Sequence, residues 1–287
     1  MSDANLLYDL WHKVSVHQDP QGQLFLFDCD KTLITGDIGE ASLRRALRQR
    51  WTISHDAWWR HLDVAEIATP DERARWRRAY ENEAKISDRV ITDDQSDSLS
   101  DDLWRAYETL CELDVHSAYV YAARFAYQRT QDEIGELTRA AFSEDSTTQV
   151  RDMMYDFVNH LQSRGGQIWV VSSSHIDIVR VIAEHYHIPT SHVIGIDFIR
   201  YESTTLCSDH LVTPVPINTG KVDAFFARNL EQPALMMGDS FYDLPLMAAA
   251  QHRFLIDHHQ SADLSVAAKA LGAELIDHAQ IERYTLH

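Results

Sequence analysis

Three short apolar runs constrain this chain more than any other feature, because each breaks off abruptly into small polar and acidic residues. Residues 23–27 run into Asp28-Cys29-Asp30, residues 167–171 into Ser172-Ser173-Ser174, and residues 234–237 into Gly238-Asp239-Ser240. A strand that is apolar throughout needs cover on both faces, and that is the situation of a parallel sheet flanked by helices. Residues 252–256 read as a fourth strand and 273–276 as a weaker fifth. Helical patterns alternate with them at 148–164, which stops at Gly165-Gly166, and at 176–187, 221–229 and 243–250. Strand alternating with helix predicts an α/β fold built on a doubly wound, Rossmann-like parallel sheet. Residues 193–215 depart from the pattern. Their short β-like pieces around Ser203, Asp209, Pro214 and Pro216 read as a hairpin excursion.

Between the first two strands the alternation stops. Residues 37–145 hold no convincing strand and several helical patterns. One opens with Thr69 as N-cap and Pro70 in its first turn, with Asp71 and Glu72 near the positive end of the dipole. Residues 88–102, acidic and rich in serine, read as a linker between helices. The stretch is far too long for a crossover. It predicts two domains, an α/β core from 1–36 and 146–287 and an inserted all-helical cap at 37–145.

Composition narrows the partners. Of 287 residues, 45% are hydrophobic and 24% charged, an ordinary globular balance, while a formal net charge of −18 disfavours nucleic acid and anionic membrane surfaces. The N-terminal residues lack the basic start and apolar run of a secretion signal, and no apolar run approaches a membrane span. Cys29, Cys111 and Cys207 show no CxxC spacing and read as reduced thiols of a cytoplasmic protein. The expected partner is a small molecule.

Four clusters follow strands, and ligands bind at the carboxyl ends of strands in such sheets. In Asp28-Cys29-Asp30-Lys31-Thr32, two carboxylates two residues apart repel each other unless a cation lies between them or one is protonated. Magnesium, which prefers oxygen ligands, suits the pair. A polar loop with Asp30 as a helix cap is the plainer reading. Ser172 sits between a strand and a helix start, where a hydroxyl and backbone N–H groups suit a phosphate oxygen, although serines cap helices widely. Lys221, after Asn218-Thr219-Gly220, opposes the dipole at a helix start, which raises a functional reading beside that of a surface lysine. Gly238-Asp239-Ser240-Phe241-Tyr242-Asp243 offers two more carboxylates and a glycine that lets backbone approach closely; alone it could be a turn plus an N-cap.

In order, Asp28-x-Asp30-x-Thr32, Ser172, Lys221 and Gly238-Asp239-x-x-x-Asp243 resemble the four signature motifs of the haloacid dehalogenase superfamily. The helical insertion and the hairpin before Asn218 are similar to its phosphoserine phosphatase-like branch. The resemblance implies a phosphatase acting on a small phosphate ester. Asp28 would be the nucleophile and Asp30 the acid that protonates the leaving group and then activates water. Family members that cleave carbon–halogen bonds lack a carboxylate at this second position. Thr32 would fix the loop, and Ser172 and Lys221 would hold the transferring oxygens, with Ser173 beside substrate. Magnesium would be held by Asp28, the Asp30 carbonyl and Asp239, with Asp243 acting through water or orienting Lys221. Phosphotransfer to an acceptor alcohol, and a non-catalytic binding protein on the same fold, are the rival functions.

Asp37 and Glu40, one helical turn apart, resemble the acidic positions near the substrate ammonium in phosphoserine and phosphocholine phosphatases. An N-cap and a first-turn acid explain them equally well. Five of the seven tryptophans, Trp51, Trp58, Trp59, Trp76 and Trp104, lie in the insertion. Aromatic faces attract quaternary ammonium groups, yet a small helical domain also needs bulky residues for its own core. Of the 16 histidines, His185-x-His187 and His258-His259 are the densest groupings, and neither has a zinc-type spacing. His175, which follows the Ser172 motif, could line the pocket but reads more readily as a surface residue at a helix start, and Cys29 reads as buried packing.

Overall fold

A computed structural model describes residues 10, 12, 19–49, 51, 93–202, 204–228 and 231–284. Its main sheet has six strands: β1 (Leu24–Phe27), β2 (Gln167–His175), β3 (Val193–Ile196), β6 (Leu235–Gly238), β7 (His252–Asp257) and β8 (Glu274–Asp277). The order across the sheet is β3-β2-β1-β6-β7-β8, and β1–β2, β1–β6, β6–β7 and β7–β8 all pair in parallel. The chain winds outward from β1 in one direction and then, from β6, in the other. Strand order therefore reverses beside β1, the place where such sheets open a ligand crevice. The doubly wound α/β fold expected from the sequence is the observed one.

Both faces of the sheet are covered, which is why its strands can be apolar throughout. Leu24, Leu26, Trp169, Val171, Met236 and Leu255 pack with Phe225, Leu246 and Met247 in one cluster. Phe27 meets Phe157 edge-on at 6.1 Å. Phe157 belongs to α5 (Asp152–Ser163), whose end is followed by Gly165 at φ +81, a left-handed value that glycine adopts without strain. The remaining core helices are α6 (Ile176–His185), α7 (Thr219–Phe226), α8 (Leu244–Ala249), α9 (Ala262–Ala270) and α10 (His278–Glu282).

The chain divides into two compact units. The first is Met1–Asp37, Asp145–Gly195 and Thr213–His287; the second is Ile38–Glu144 with Ile196–Val212. The second unit contains α1 (Ile38–Arg48), α2 (Asp93–Leu113), α3 (Val115–Ala123) and α4 (Gln131–Glu144). It also contains an antiparallel pair, β4 (Phe198–Arg200) and β5 (Cys207–Leu211). The hairpin expected at 193–215 is thus shorter, because Val193–Ile196 is an edge strand of the main sheet, and its residues group with the helices. Residues 93–102, expected in a linker, form the first half of α2. Acidic, serine-rich composition marks loops and helix starts alike. The helix expected to start at Thr69 lies outside the described residues.

Within the second unit, the buried Ile38, Ser42, Leu43, Ala46 and Leu47 form one stripe of α1, and Ser42 Oγ lies 3.5 Å from Thr138 Oγ1 of α4. Trp104 and Tyr107 of α2 lie 5.1 Å apart, and Tyr107 stacks on Tyr121 of α3 at 6.5 Å.

Candidate active site

Asp28 follows β1 directly and is pinned there by its N–H, which donates to Met237 O of β6 at 2.9 Å. Behind it, Cys29–Leu33 forms a tight loop in which Lys31 takes left-handed φ/ψ of 54° and 2°. Such a conformation costs free energy outside glycine and persists only where its surroundings hold it. They do so here. Lys31 N donates to Gly36 O at 2.9 Å, while Arg151 Nη2 and His258 Nε2 each lie 3.2 Å from Lys31 O. Arg151 Nε also donates to Ile34 O, and Tyr186 Oη to Leu33 O. Thr32 is fully buried, its Oγ1 without a hydrogen-bond partner among the described residues.

Lys221 reaches the same point from α7. Its Nζ donates to Asp28 Oδ1 at 2.7 Å and to Asp243 Oδ1 at 2.6 Å, and all three side chains are buried. Asp243 uses its other oxygen on the loop after β6, accepting from Asp239 N, Ser240 N and Ser240 Oγ at 3.2, 3.0 and 2.7 Å. Gly238 is required for that approach, since a Cβ there would stand 2.6 Å from Asp243 Cγ. Asp28, Asp239 and Asp243 each bring a carboxylate oxygen to within 4.8 Å of the others.

Three carboxylates around one ammonium leave uncompensated negative charge. Burial pushes the Asp28 carboxyl up to about 7, with Asp243 adding to the shift and Lys221 opposing it. Asp239 is raised as well, by burial and then by Asp28 and Asp243. For Lys221, burial works against the charge, but Asp243 and Asp28 outweigh it and hold the amine above its ordinary value. A divalent cation fits this surplus, and Asp28 and Asp239 could each offer it a carboxylate oxygen. Asp243, its oxygens spent on Lys221 and the loop, is placed to orient them.

The remaining expected residues divide. Ser172 is buried beyond the stretch of β2 that pairs with β1, and its Oγ accepts from Ser174 N at 3.0 Å. Alternate residues of a strand share a face, so Ser174 joins Ser172 and its Oγ donates to Asp30 Oδ2 at 2.7 Å. Ser173 points elsewhere. Its Oγ donates to Pro216 O at 2.9 Å and ties down the segment ahead of Lys221. Asp37 is partly buried just before α1. Glu40, in the first turn of α1, accepts from Tyr107 Oη at 3.2 Å. His175, expected at the surface, is buried, and its Nδ1 caps α6 by accepting from Asp177 N. Cys29 is fully buried, and burial raises its thiol well above the usual range.

Sequence reasoning missed Ser174, Arg151, Tyr186 and His258. For Ser174 the period of two along a strand was a usable signal. The other three reach the loop from distant chain segments, and no local pattern marks them. Two of the aromatic faces in the second unit already carry internal cations, with Arg44 3.4 Å from the Trp104 ring centroid and Arg129 4.6 Å from that of Trp51. Trp58, Trp59 and Trp76 lie outside the described residues. Among the described residues, no helix is long and apolar enough to cross a membrane.

Comparison with solved structures shows the same fold elsewhere. A conserved, functionally unknown protein from Anaerococcus prevotii matches with a TM-score of 0.63 at 18% identity, over 92% of this chain and 89% of that one. A protein of unknown function from Bordetella pertussis matches with a TM-score of 0.59 at 17% identity, over 89% of this chain and 99% of that one. No curated protein sequence matches. The model of the haloacid dehalogenase-like hydrolases matches residues 25–248, a span that contains every residue around Asp28 described above except His258. The chain belongs to the haloacid dehalogenase-like hydrolase family.

Proposed function

We propose that this hydrolase is a magnesium-dependent phosphatase that cleaves a small phosphomonoester through an aspartyl phosphate on Asp28. The observation that carries the reading is the buried Lys221 ammonium, shared between Asp28 and Asp243 with Asp239 alongside. A binding scaffold has no use for so costly an arrangement of charge.

In this reading an Asp28 carboxylate oxygen attacks phosphorus, and the departing alkoxide takes a proton from Asp30. Asp30, held by Ser174, then removes a proton from the water that attacks the aspartyl phosphate, releasing phosphate and restoring Asp28. Lys221 offers its positive charge to the phosphoryl oxygens as they turn. Ser172 Oγ accepts from Ser174 N, and in this reading its hydroxyl donates to a phosphate oxygen. Thr32 is buried within the loop, and Asp243 orients Lys221. An ion bound by Asp28, the Asp30 carbonyl and Asp239 would offset the repulsion between an anionic nucleophile and a dianionic ester.

Within phosphomonoesters, an amino-alcohol phosphate such as phosphoserine or phosphocholine is the assigned class, on the acidic pair Asp37 and Glu40. An aromatic cage is not part of the assignment, since Arg44 and Arg129 occupy the Trp104 and Trp51 faces.

The test is turnover of an aryl phosphate with magnesium and with chelator, in wild type and in Asp28→Asn. Loss of the nucleophile should lower kcat by about a thousandfold or more, and acid quench should trap labelled phosphate on the wild type alone. Unchanged turnover in Asp28→Asn would reject the nucleophile. A panel of phosphoserine, phosphocholine, phosphoethanolamine, sugar phosphates and nucleotides tests the class; preference for either of the last two removes the amine assignment and leaves the chemistry intact.

A further inference from the structure

Strands β7 and β8 end alike, in Asp257-His258-His259 and Asp277-His278, and they pair in register with Asp257 opposite Asp277. Two parallel strands aligned in this way set like residues side by side, so the histidines that follow are brought together. The His258 and His278 rings stack at 5.0 Å, and His259 meets His278 at 5.8 Å. A turn directs His259. Asp257 Oδ1 accepts from His259 N at 2.8 Å, and His259 adopts φ 57. That brings His259 Nε2 to 3.4 Å from Asp277 Oδ1, with His278 Nδ1 3.6 Å from the same oxygen.

These two separations are compatible with a metal shell. Donors on a tetrahedron of roughly 2.1 Å radius lie about 3.4 Å apart. We propose that His259, His278 and Asp277 form a binding site for a zinc-class divalent ion, separate from the carboxylate cluster at Asp28. One ligand atom from each of the three lies within 4.8 Å of the others. Imidazole nitrogen selects borderline metals over magnesium, which binds through oxygen. Asp277 Oδ1 also accepts from Ala279 N at 2.9 Å, which fixes the carboxylate at the start of α10. His278 Nδ1 also faces Asp257 O at 3.2 Å, a contact that ligation would replace. The His259 and Asp277 side chains are 61% and 40% exposed, so an ion has access and water completes the shell. Two neutral imidazoles and one carboxylate leave the bound ion singly positive, on a chain whose formal charge is −18.

The experiment titrates zinc into the full chain in excess magnesium, which saturates the oxygen site, and reads binding against a chromophoric chelator. One equivalent should bind to wild type. His259→Ala and His278→Ala should each weaken it by about tenfold or more. Asp277→Asn, which keeps the oxygen that caps Ala279 but not the charge, should weaken it too, while Asp239→Asn should leave it unchanged. Circular dichroism of each variant separates ligand loss from unfolding. Absence of a bound equivalent in wild type overturns the site. So does equal affinity in a folded His259→Ala/His278→Ala double variant.

Discussion

Lys221 Nζ donates to Asp28 Oδ1 at 2.7 Å, although the two stand 193 positions apart in the chain. The contact joins the third sequence cluster to the first and sets the ammonium between two buried carboxylates. Removing one member of a buried charge group leaves the others uncompensated.

Lys221→Met should therefore destabilise the protein by about 3–5 kcal/mol, the range for breaking a buried ion pair. Urea unfolding measures it. Adding Asp28→Asn to Lys221→Met should recover part of the loss, because one orphaned charge goes with it. A Lys221→Met midpoint equal to wild type would show that the carboxylates do not depend on the ammonium.

The raised Asp28 carboxyl gives a pH dependence with a definite sign. Unfolded, the group titrates near 3.8; folded, it titrates at about 7. Between those values the folded protein holds a proton that the unfolded chain has released, so stability without metal falls as pH rises through the window. The slope is up to about 1.4 kcal/mol per pH unit for one such group. Asp239, raised in the same direction, adds to it. A cation held by these carboxylates counters the loss. Thermal melts with excess magnesium and with chelator should coincide near pH 5 and separate toward pH 8, and a constant difference across that range would contradict the assignment.

The strand ends were legible in the sequence because chemistry and fold coincide there. Each apolar run had to be covered on both faces, and each gave way to polar residues at the edge where Asp28, Ser172 and Asp239 emerge. What stayed hidden came from elsewhere in the chain. Val193–Ile196 is four residues long and contains Gly195, so it carries little strand signal; its place follows from packing, where a Cβ on Gly195 would stand 2.7 Å from Ile176 Cα. Arg151, Tyr186 and His258 converge on the carbonyls of Lys31, Leu33 and Ile34, and carbonyls have no sequence identity to match. The linker expected at 88–102 shows the opposite limit, since acidic serine-rich composition marks loops and helix starts alike.

Ser173 and Ser174 should separate in a paired test. Ser174→Ala removes the donor to Asp30 Oδ2 and should lower kcat by about tenfold while displacing the pH profile of the acid–base step. Ser173→Ala removes the bond to Pro216 O and should cost about 1 kcal/mol of stability, with the pH profile unmoved. Identical profiles for the two variants would place Asp30 outside the proton transfers.

Gly220 supplies a sharper steric test, because it stands immediately before Lys221 at the start of α7. Its N–H donates to Ile217 O at 2.9 Å, and a Cβ added there would stand 1.9 Å from Val215 O, a backbone atom that cannot swing aside. Gly220→Ala must displace either the Val215 segment or the helix start, and the second carries Lys221 away from Asp28. The expected result is a loss of stability of about 2–4 kcal/mol, comparable to severe overpacking or backbone strain, together with loss of turnover in the fraction that stays folded. Gly22→Ala is the control. Its φ of +76 carries backbone strain, but a Cβ meets nothing within 4 Å. It should therefore cost about 1 kcal/mol and leave turnover intact. Equal kcat for Gly220→Ala and wild type would mean that the start of α7 can shift without moving the ammonium.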